Sequence, residues 1–342
     1  MFIKENLSLK PYNTFGIEVT ARSFAEFSNA DTLEALLNQV PNSEFFILGG
    51  GSNILFTKNY NGLVLKNEIS GIEELYEDTE YVYVKVGAGE NWHQLVLHCI
   101  NNNWAGVENL SLIPGCVGAA PIQNIGAYGI ELRDVFLSLE AFHLYEKKML
   151  TFTMGDCGFG YRDSVFKTKF KNQFAILNVT LKLRKHPIFH TSYGAIEQEL
   201  EKMNIKELSI RAISQAVINI RSAKLPDPAQ IGNAGSFFKN PLVSKVKYEN
   251  LKSRFPNIPG YENINGSVKL AAGWLIENCG PNETVSWKGF RRGDAGCHIK
   301  QSLVLVNYGN ASGKEIYALS LEIWHSIKEK FGIELEREVN IV

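Results

Sequence analysis

The chain lacks the features by which many proteins declare a partner. Its 35 basic and 36 acidic residues leave a formal net charge of −1, so no excess of one sign draws it to nucleic acid or to an anionic membrane. Cysteine is scarce: Cys99, Cys116, Cys157, Cys279 and Cys297 are odd in number, widely spaced and without a Cys-x-x-Cys pair. That pattern argues against a disulfide framework and a zinc site, and each thiol reads as a small buried hydrophobe. No apolar run approaches the roughly 18 residues needed to cross a bilayer. Met-Phe-Ile-Lys-Glu-Asn at the start has no signal-peptide apolar region, so a cytoplasmic location is expected. Repeats and low-complexity tracts are missing. So are the P-loop pattern Gly-x-x-x-x-Gly-Lys-Ser/Thr, the Rossmann pattern Gly-x-Gly-x-x-Gly and any other nicotinamide fingerprint.

What is present suits a globular enzyme. The 342 residues, 45% hydrophobic and 21% charged, are enough for about two or three compact units. Periodicity predicts buried strands at 45–48, 63–65 and 81–86, the last with Val82, Val84 and Val86 on one face. A strand is expected over 174–182 and another over 301–307. Helices are expected from about 91 to 101, 193 to 203, 213 to 224 and 268 to 278. Ser312-x-x-Glu315 has capping-box spacing ahead of a last helix whose buried stripe is Ile316, Leu319, Ile323, Ile327 and Phe331. Residues 256–266 and 290–297 read as loops, and 333–342 as a strand with Glu334, Glu336 and Glu338 on one side, a side expected to face solvent.

Three uncommon stretches carry the chemistry. Gly49-Gly50-Gly51-Ser52-Asn53 follows a buried strand and suits either a nest of backbone N–H groups for a diphosphate or a plain tight turn. Residues 113–129, from Ile113-Pro114-Gly115-Cys116-Val117-Gly118-Ala119 to Gln123-Asn124-Ile125-Gly126-Ala127-Tyr128-Gly129, are nearly uncharged. Such a surface suits a flat heterocycle, with backbone groups and Gln123 or Asn124 available to ring heteroatoms; the other reading is an irregular buried connection. In the third stretch, Asn233 to Pro241, Ser236 sits between Gly235 and two phenylalanines. It is either a proton donor in a dry pocket or a turn hydroxyl bonded to its own backbone.

Other candidates surround these. Arg162, on the turn Gly160-Tyr161-Arg162-Asp163, offers a guanidinium fork for a carboxylate or else a simple surface pair. Arg221 and Lys224 either complement the end of their helix or face a phosphate. His93 and His98 fall five apart, the wrong spacing for a metal pair on a helix, and no metal site is expected.

Taken together, Gly49 to Asn53, Pro114 to Gly118, Gln123 to Gly129, Tyr161 to Ser164 and Gly235-Ser236-Phe237-Phe238-Lys239-Asn240-Pro241 resemble the UDP-N-acetylenolpyruvoylglucosamine reductase (MurB) family. The resemblance runs in order from Asn13-Thr14-Phe15-Gly16 to Leu335-Glu336-Arg337-Glu338-Val339. It implies an α+β chain with an FAD-binding domain of the vanillyl-alcohol-oxidase (PCMH) type. Two lobes are expected, 1–70 and 71–187, followed by a substrate domain over 188–342 whose terminal strand, 333–342, returns to the flavin.

The same resemblance implies noncovalent FAD, held by Gly49, Gly50, Gly51, Ser52, Asn53, Pro114, Gly115, Cys116, Gly118, Ala119, Gln123, Asn124, Gly126, Ala127 and Tyr128. It implies reduction of FAD by NADPH, hydride transfer from flavin N5 to the methylene carbon of UDP-N-acetylglucosamine enolpyruvate, and formation of UDP-N-acetylmuramate for peptidoglycan. Arg162 would stabilise the enolate, Ser236 donate the proton and Glu338 orient or stabilise the intermediate. Tyr161, Tyr193, Lys224, Asn240 and Gln301 would meet the UDP-sugar. Tyr193-Gly194 with 258–267 resembles the longer form of the family, in which a tyrosine loop closes over substrate. A monomer is expected. The alternative is an FAD-dependent oxidase sharing the flavin domain, with His143 or Cys116 as a conceivable covalent tether.

Overall fold

The computed structural model describes residues 2–40, 44–193, 195–263 and 266–342. They form two compact units: one from the described parts of Met1–Leu7, Ala21–Gly51 and Tyr60–Ala223, the other from Ser8–Thr20, Ser52–Asn59 and Lys224–Val342. The architecture is α+β in both.

In the first unit, strand Tyr60–Asn67 pairs in parallel with Thr20–Phe27 on one side and Phe45–Leu48 on the other. Parallel strands need crossover chain between them, and the helix Ala30–Gln39, capped by Asn29 Oδ1, supplies one. A second sheet is antiparallel, in the order Lys148–Thr153, Phe136–His143, Phe174–Arg184, Tyr81–Gly87, Ile72–Glu77. Val82, Val84 and Val86 are buried there, as their alternation predicts, against Trp92, Leu95, Val96 and Cys99 of the helix Trp92–Asn101. Helices Ile196–Lys202 and Ile210–Lys224 pack on each other through Ile196, Leu200, Ile213, Val217 and Ile220, with Tyr128 against them.

The second unit is built on the sheet Gly232–Ser236, Val304–Asn307, Ala295–Cys297, Arg291–Arg292. Residues 290–297, expected as a loop, therefore hold a hairpin: Ala295–Cys297 is buried beside the central strand, and Arg291 and Arg292 are tied to Asp294 and Glu322. The helix expected over 268–278 is shorter. Ser267–Leu270 is the middle strand of a three-stranded sheet with Leu242–Ser244 and Gly260–Glu262, and the helix occupies Ala272–Glu277. The tail expected as one strand is irregular from Gly332 to Val339 apart from a single bridge at Arg337; only Asn340–Ile341 is strand, parallel to Ile54–Leu55.

All five cysteines are free and buried, and burial pushes Cys99, Cys157 and Cys297 up to about 12. No helix among the described residues is long and apolar enough to cross a membrane.

The helix Gly313–Phe331 forms as its sequence predicts. Ser312 Oγ accepts from Glu315 N, Glu315 reaches back to Ser312 N at 2.7 Å, and Gly332 ends it in the left-handed region with φ 64°. Ser312→Ala should cost about 1 kcal/mol and lower the unfolding midpoint of the second unit by about 3 °C in calorimetry. Gly313→Ala should cost far more, because its Cβ would fall 1.8 Å from the Phe56 carbonyl oxygen.

Candidate active site

In the first unit the two glycine loops meet main chain to main chain. A Cβ on Gly50 would lie 2.8 Å from Gly115 Cα, and one on Gly49 would touch Cys116 and Ala119. Gly51 turns the chain at φ 63°, a conformation that glycine adopts without cost. The longer loop is pinned to the segment before helix Trp92–Asn101: Trp92 N donates to Gly115 O at 3.0 Å, Val117 N to Glu90 O at 2.8 Å and Gly118 N to Ala88 O at 2.9 Å. Pro114 precedes this anchor, and Ala119 lies in the short 3-10 helix Val117–Ile122 that follows it, at whose end Gln123 stands.

The turn carrying Tyr161 and Arg162 is clamped onto that loop. Asn124 Nδ2 donates to Gly160 O at 3.1 Å, Ser164 Oγ to Ile122 O at 2.7 Å, and Arg162 Nη2 to Gly126 O at 2.5 Å. Asn124, expected to be available to a ring heteroatom, spends its side chain inside the protein: it also donates to Glu131 Oε2 and accepts from Arg133 N. Ala127 pairs with Ile130 in a two-residue ladder, and Gly129 lies against Tyr193, whose Cβ is 3.3 Å from where a glycine Cβ would be. Leu112, Asn124, Tyr128 and Arg162 all have positive φ, between 43° and 58°. Such strain in non-glycine residues gathers where a site fixes its backbone.

Arg221 is the residue that sequence left undecided. The helix Ile210–Lys224 brings it to this loop, where its Nε donates to Leu112 O at 3.3 Å. Burial lowers its pKa, and the charge of Arg162 adds to the lowering while Tyr128 opposes it. Two guanidiniums thus stand close together beside a nearly uncharged loop. His93, which accepts from Leu112 N at 3.0 Å, is held below its ordinary value by burial and then by Arg221. A cation at the end of a helix always has its dipole as a sufficient explanation, so sequence alone gave no reason to place Arg221 here.

These residues fit a flavin. Glycine main chains without intervening side chains suit a diphosphate, the uncharged loop suits a flat ring, and the buried Asn109 Oδ1, next to Tyr128, has no hydrogen-bond partner among the described residues.

The second unit carries Ser236 at the end of strand Gly232–Ser236, opposite Val304, just past a bulge. Asn233 Oδ1 accepts from Gly235 N, and Gly235 turns at φ 67° with no atom within 4 Å of its missing Cβ. Phe237 and Phe238, next in the chain, are fully buried and meet edge to face at 5.3 Å. Ser236 Oγ makes no hydrogen bond among the described residues, so the hydroxyl is not spent on its own turn. Glu338 runs alongside: its N–H donates to Phe237 O at 2.9 Å, and Asn53 Nδ2 donates to its carbonyl at 3.3 Å. Ser52 is half-buried beside Asn53.

Asn240 Oδ1 accepts from Ala272 N at 2.9 Å, and Gln301 Oε1 accepts from Leu303 N at 3.3 Å; neither amide nitrogen donates a hydrogen bond among the described residues. Lys224 is exposed. Gly194, Ile264 and Asn265 of the expected tyrosine-loop region lie outside the described residues.

Two measurements check this site. Gly50→Ala should force the glycine loops apart, so the purified protein should retain less FAD with unchanged far-ultraviolet circular dichroism. Arg221→Met removes a cation near His93, so the His93 pKa should rise in an NMR titration. In the parent chain a depressed histidine pKa makes stability full above the ordinary 6.5 and lost as pH falls below it; Arg221→Met should shrink that loss.

Comparison with known proteins agrees with the geometry over the whole chain. Residues 21–144 match the model of an FAD binding domain, and 227–342 match that of the UDP-N-acetylenolpyruvoylglucosamine reductase C-terminal domain. UDP-N-acetylenolpyruvoylglucosamine reductases of Amoebophilus asiaticus and Flavobacterium johnsoniae are 51% and 49% identical, each over 100% of both chains. The crystal structure of the Thermus caldophilus enzyme superposes with a TM-score of 0.66 at 24% identity, covering 99% of each chain, and shows the same fold. The chain belongs to the UDP-N-acetylenolpyruvoylglucosamine reductase family, the FAD-binding oxidoreductases of peptidoglycan precursor synthesis.

Proposed function

We propose that the chain reduces UDP-N-acetylglucosamine enolpyruvate to UDP-N-acetylmuramate with electrons from NADPH. FAD, when bound and reduced, supplies the hydride. The chain's own residues manage the charge and proton that hydride addition creates. Addition at the methylene carbon leaves negative charge on the neighbouring carbon and spread into its carboxylate, so the reaction needs a cation and a proton donor.

Arg162 supplies the cation, with Arg221 beside it adding to the positive field. Its hydrogen bond to Gly126 O fixes the guanidinium before substrate arrives, so little reorganisation is needed as charge develops. Ser236 supplies the proton. The observation that carries this reading is its half-buried hydroxyl, which makes no hydrogen bond among the described residues and so is available to donate. Glu338, held one residue along by its bond to Phe237 O, orients that hydroxyl.

Gly49 to Asn53 and Pro114 to Tyr128 hold the cofactor, and Tyr161, Tyr193, Lys224, Asn240 and Gln301 hold the UDP-sugar. Lys224 is an exposed cation suited to a diphosphate, and the free amide donors of Asn240 and Gln301 suit its oxygens.

The test is anaerobic. NADPH-reduced protein mixed with UDP-N-acetylglucosamine enolpyruvate should recover its oxidised flavin absorbance promptly, and Ser236→Ala should slow that recovery by roughly 10²–10⁴-fold, the usual contribution of a general acid. A reduced protein that ignores the sugar and reoxidises only in air would favour an oxidase instead.

A further inference from the structure

We propose that Lys239 and Glu336 form a register lock, an ion pair that fixes which side chain of the segment 335–339 faces the Ser236 strand and so presents Glu338 to the reaction. The inference rests on the functional reading above and concerns two residues to which that reading gives no role.

The contact between the two segments is short. Lys239 N donates to Glu336 O at 2.8 Å, Glu338 N donates to Phe237 O at 2.9 Å, and between them lies the one antiparallel bridge, Phe238 with Arg337. A pairing of this length is too small to define its own register. Register matters because side chains alternate: a slip of one residue sends each to the opposite face. It would put Arg337 or Val339 where Glu338 now stands, a cation or an apolar group in place of a carboxylate. Arg337 is held away by its stack on Tyr317 at 4.8 Å and its bond to Ser320 Oγ at 3.3 Å.

The ladder of Asn340–Ile341 on Ile54–Leu55 holds the chain beyond Val339, and the ion pair adds definition on the near side of Glu338. The Lys239 side chain is only 10% exposed, whereas its partner Glu336 is 68% exposed. An ammonium buried to that degree requires an anion, and the more mobile glutamate must come to it. In a slipped register the lysine would meet Leu335 or Arg337, neither of which can serve. The pair crosses the same two segments as Ser236 and Glu338, three residues from one and two from the other. Glu334 does not share this role, since it pairs with Lys328 between two largely exposed side chains. Lys239 and Glu336 are positioning residues; neither touches substrate.

The experiment uses the full FAD-loaded chain and its Glu336→Gln, Lys239→Met and Lys239→Arg variants, each followed anaerobically through both half-reactions. Glu336→Gln and Lys239→Met should leave reduction by NADPH close to the parent rate. They should slow reoxidation by UDP-N-acetylglucosamine enolpyruvate about 10- to 100-fold, the scale of a misplacement of ~1 Å. The solvent deuterium isotope effect on reoxidation should grow, because proton delivery becomes limiting, and Lys239→Arg should restore most of the rate. Parent rates in every variant, or equal slowing of both half-reactions with an unchanged isotope effect, would overturn the lock. If Lys239→Met does not fold, Glu336→Gln, changed at a mostly exposed side chain, decides the matter. A parent protein that the enolpyruvyl sugar fails to reoxidise would overturn the functional reading and the lock with it.

Discussion

Backbone lying directly on backbone is the constraint from which the cofactor region follows. Gly50 approaches Gly115 so closely that the first loop has no room for a side chain at the point of contact. Once the first loop is seated there, the second cannot move, because three hydrogen bonds fix it to 88–92. The Tyr161–Arg162 turn is then clamped to the second loop by Asn124, Ser164 and Arg162 itself. Rigidity passes from the first loop to the second through main chain, and from the second to the turn through three side chains. The guanidiniums of Arg162 and Arg221 each donate to a main-chain carbonyl of this region.

The second unit solves a different problem, that of holding a small hydroxyl still without consuming it. Pairing with Val304 and a bond from Phe237 N to Leu303 O at 2.7 Å fix its backbone, so its oxygen needs no bond of its own. The neighbouring polar side chains are treated differently: Asn233, Asn240 and Gln301 each give their carbonyl oxygen to a backbone N–H. A buried amide left unpaired is costly, so such groups are normally satisfied before a ligand arrives.

Much of this was legible in the sequence, and the failures have a common cause. The capping box at Ser312, the valine alternation at 82–86 and the run of glycines at 49–51 are local signals, and the structure follows them. The tail was misread as one strand because Glu334, Glu336 and Glu338 recur at period two; the expected exposure holds for Glu334 and Glu336. Lys239 pairs with Glu336 from about a hundred residues away in the chain, a partner that periodicity cannot see. The 290–297 hairpin was hidden because what makes Ala295–Cys297 a strand is its pairing with Val304–Asn307, which local composition does not show. Val268 belongs to a strand because other strands flank it on both sides, a tertiary cause that overrides local preference. Within the site, the glycine and serine motifs named their own positions; Arg221 did not, because only the packing of its helix carries it to Leu112.

The second unit also imposes an order on biosynthesis. Thr57 N and Oγ1 donate to the Val342 carbonyl, Val342 N donates to Leu55 O, and Asn340 pairs with Ile54, so a segment made early is completed by residues about 285 positions later. A ribosome must therefore reach residues 340–342 before 52–59 can make these bonds, and until then Ile54, Leu55 and Phe56, all buried in the folded protein, go without that cover. During that interval the nascent chain is a natural client for a chaperone that shields short apolar segments.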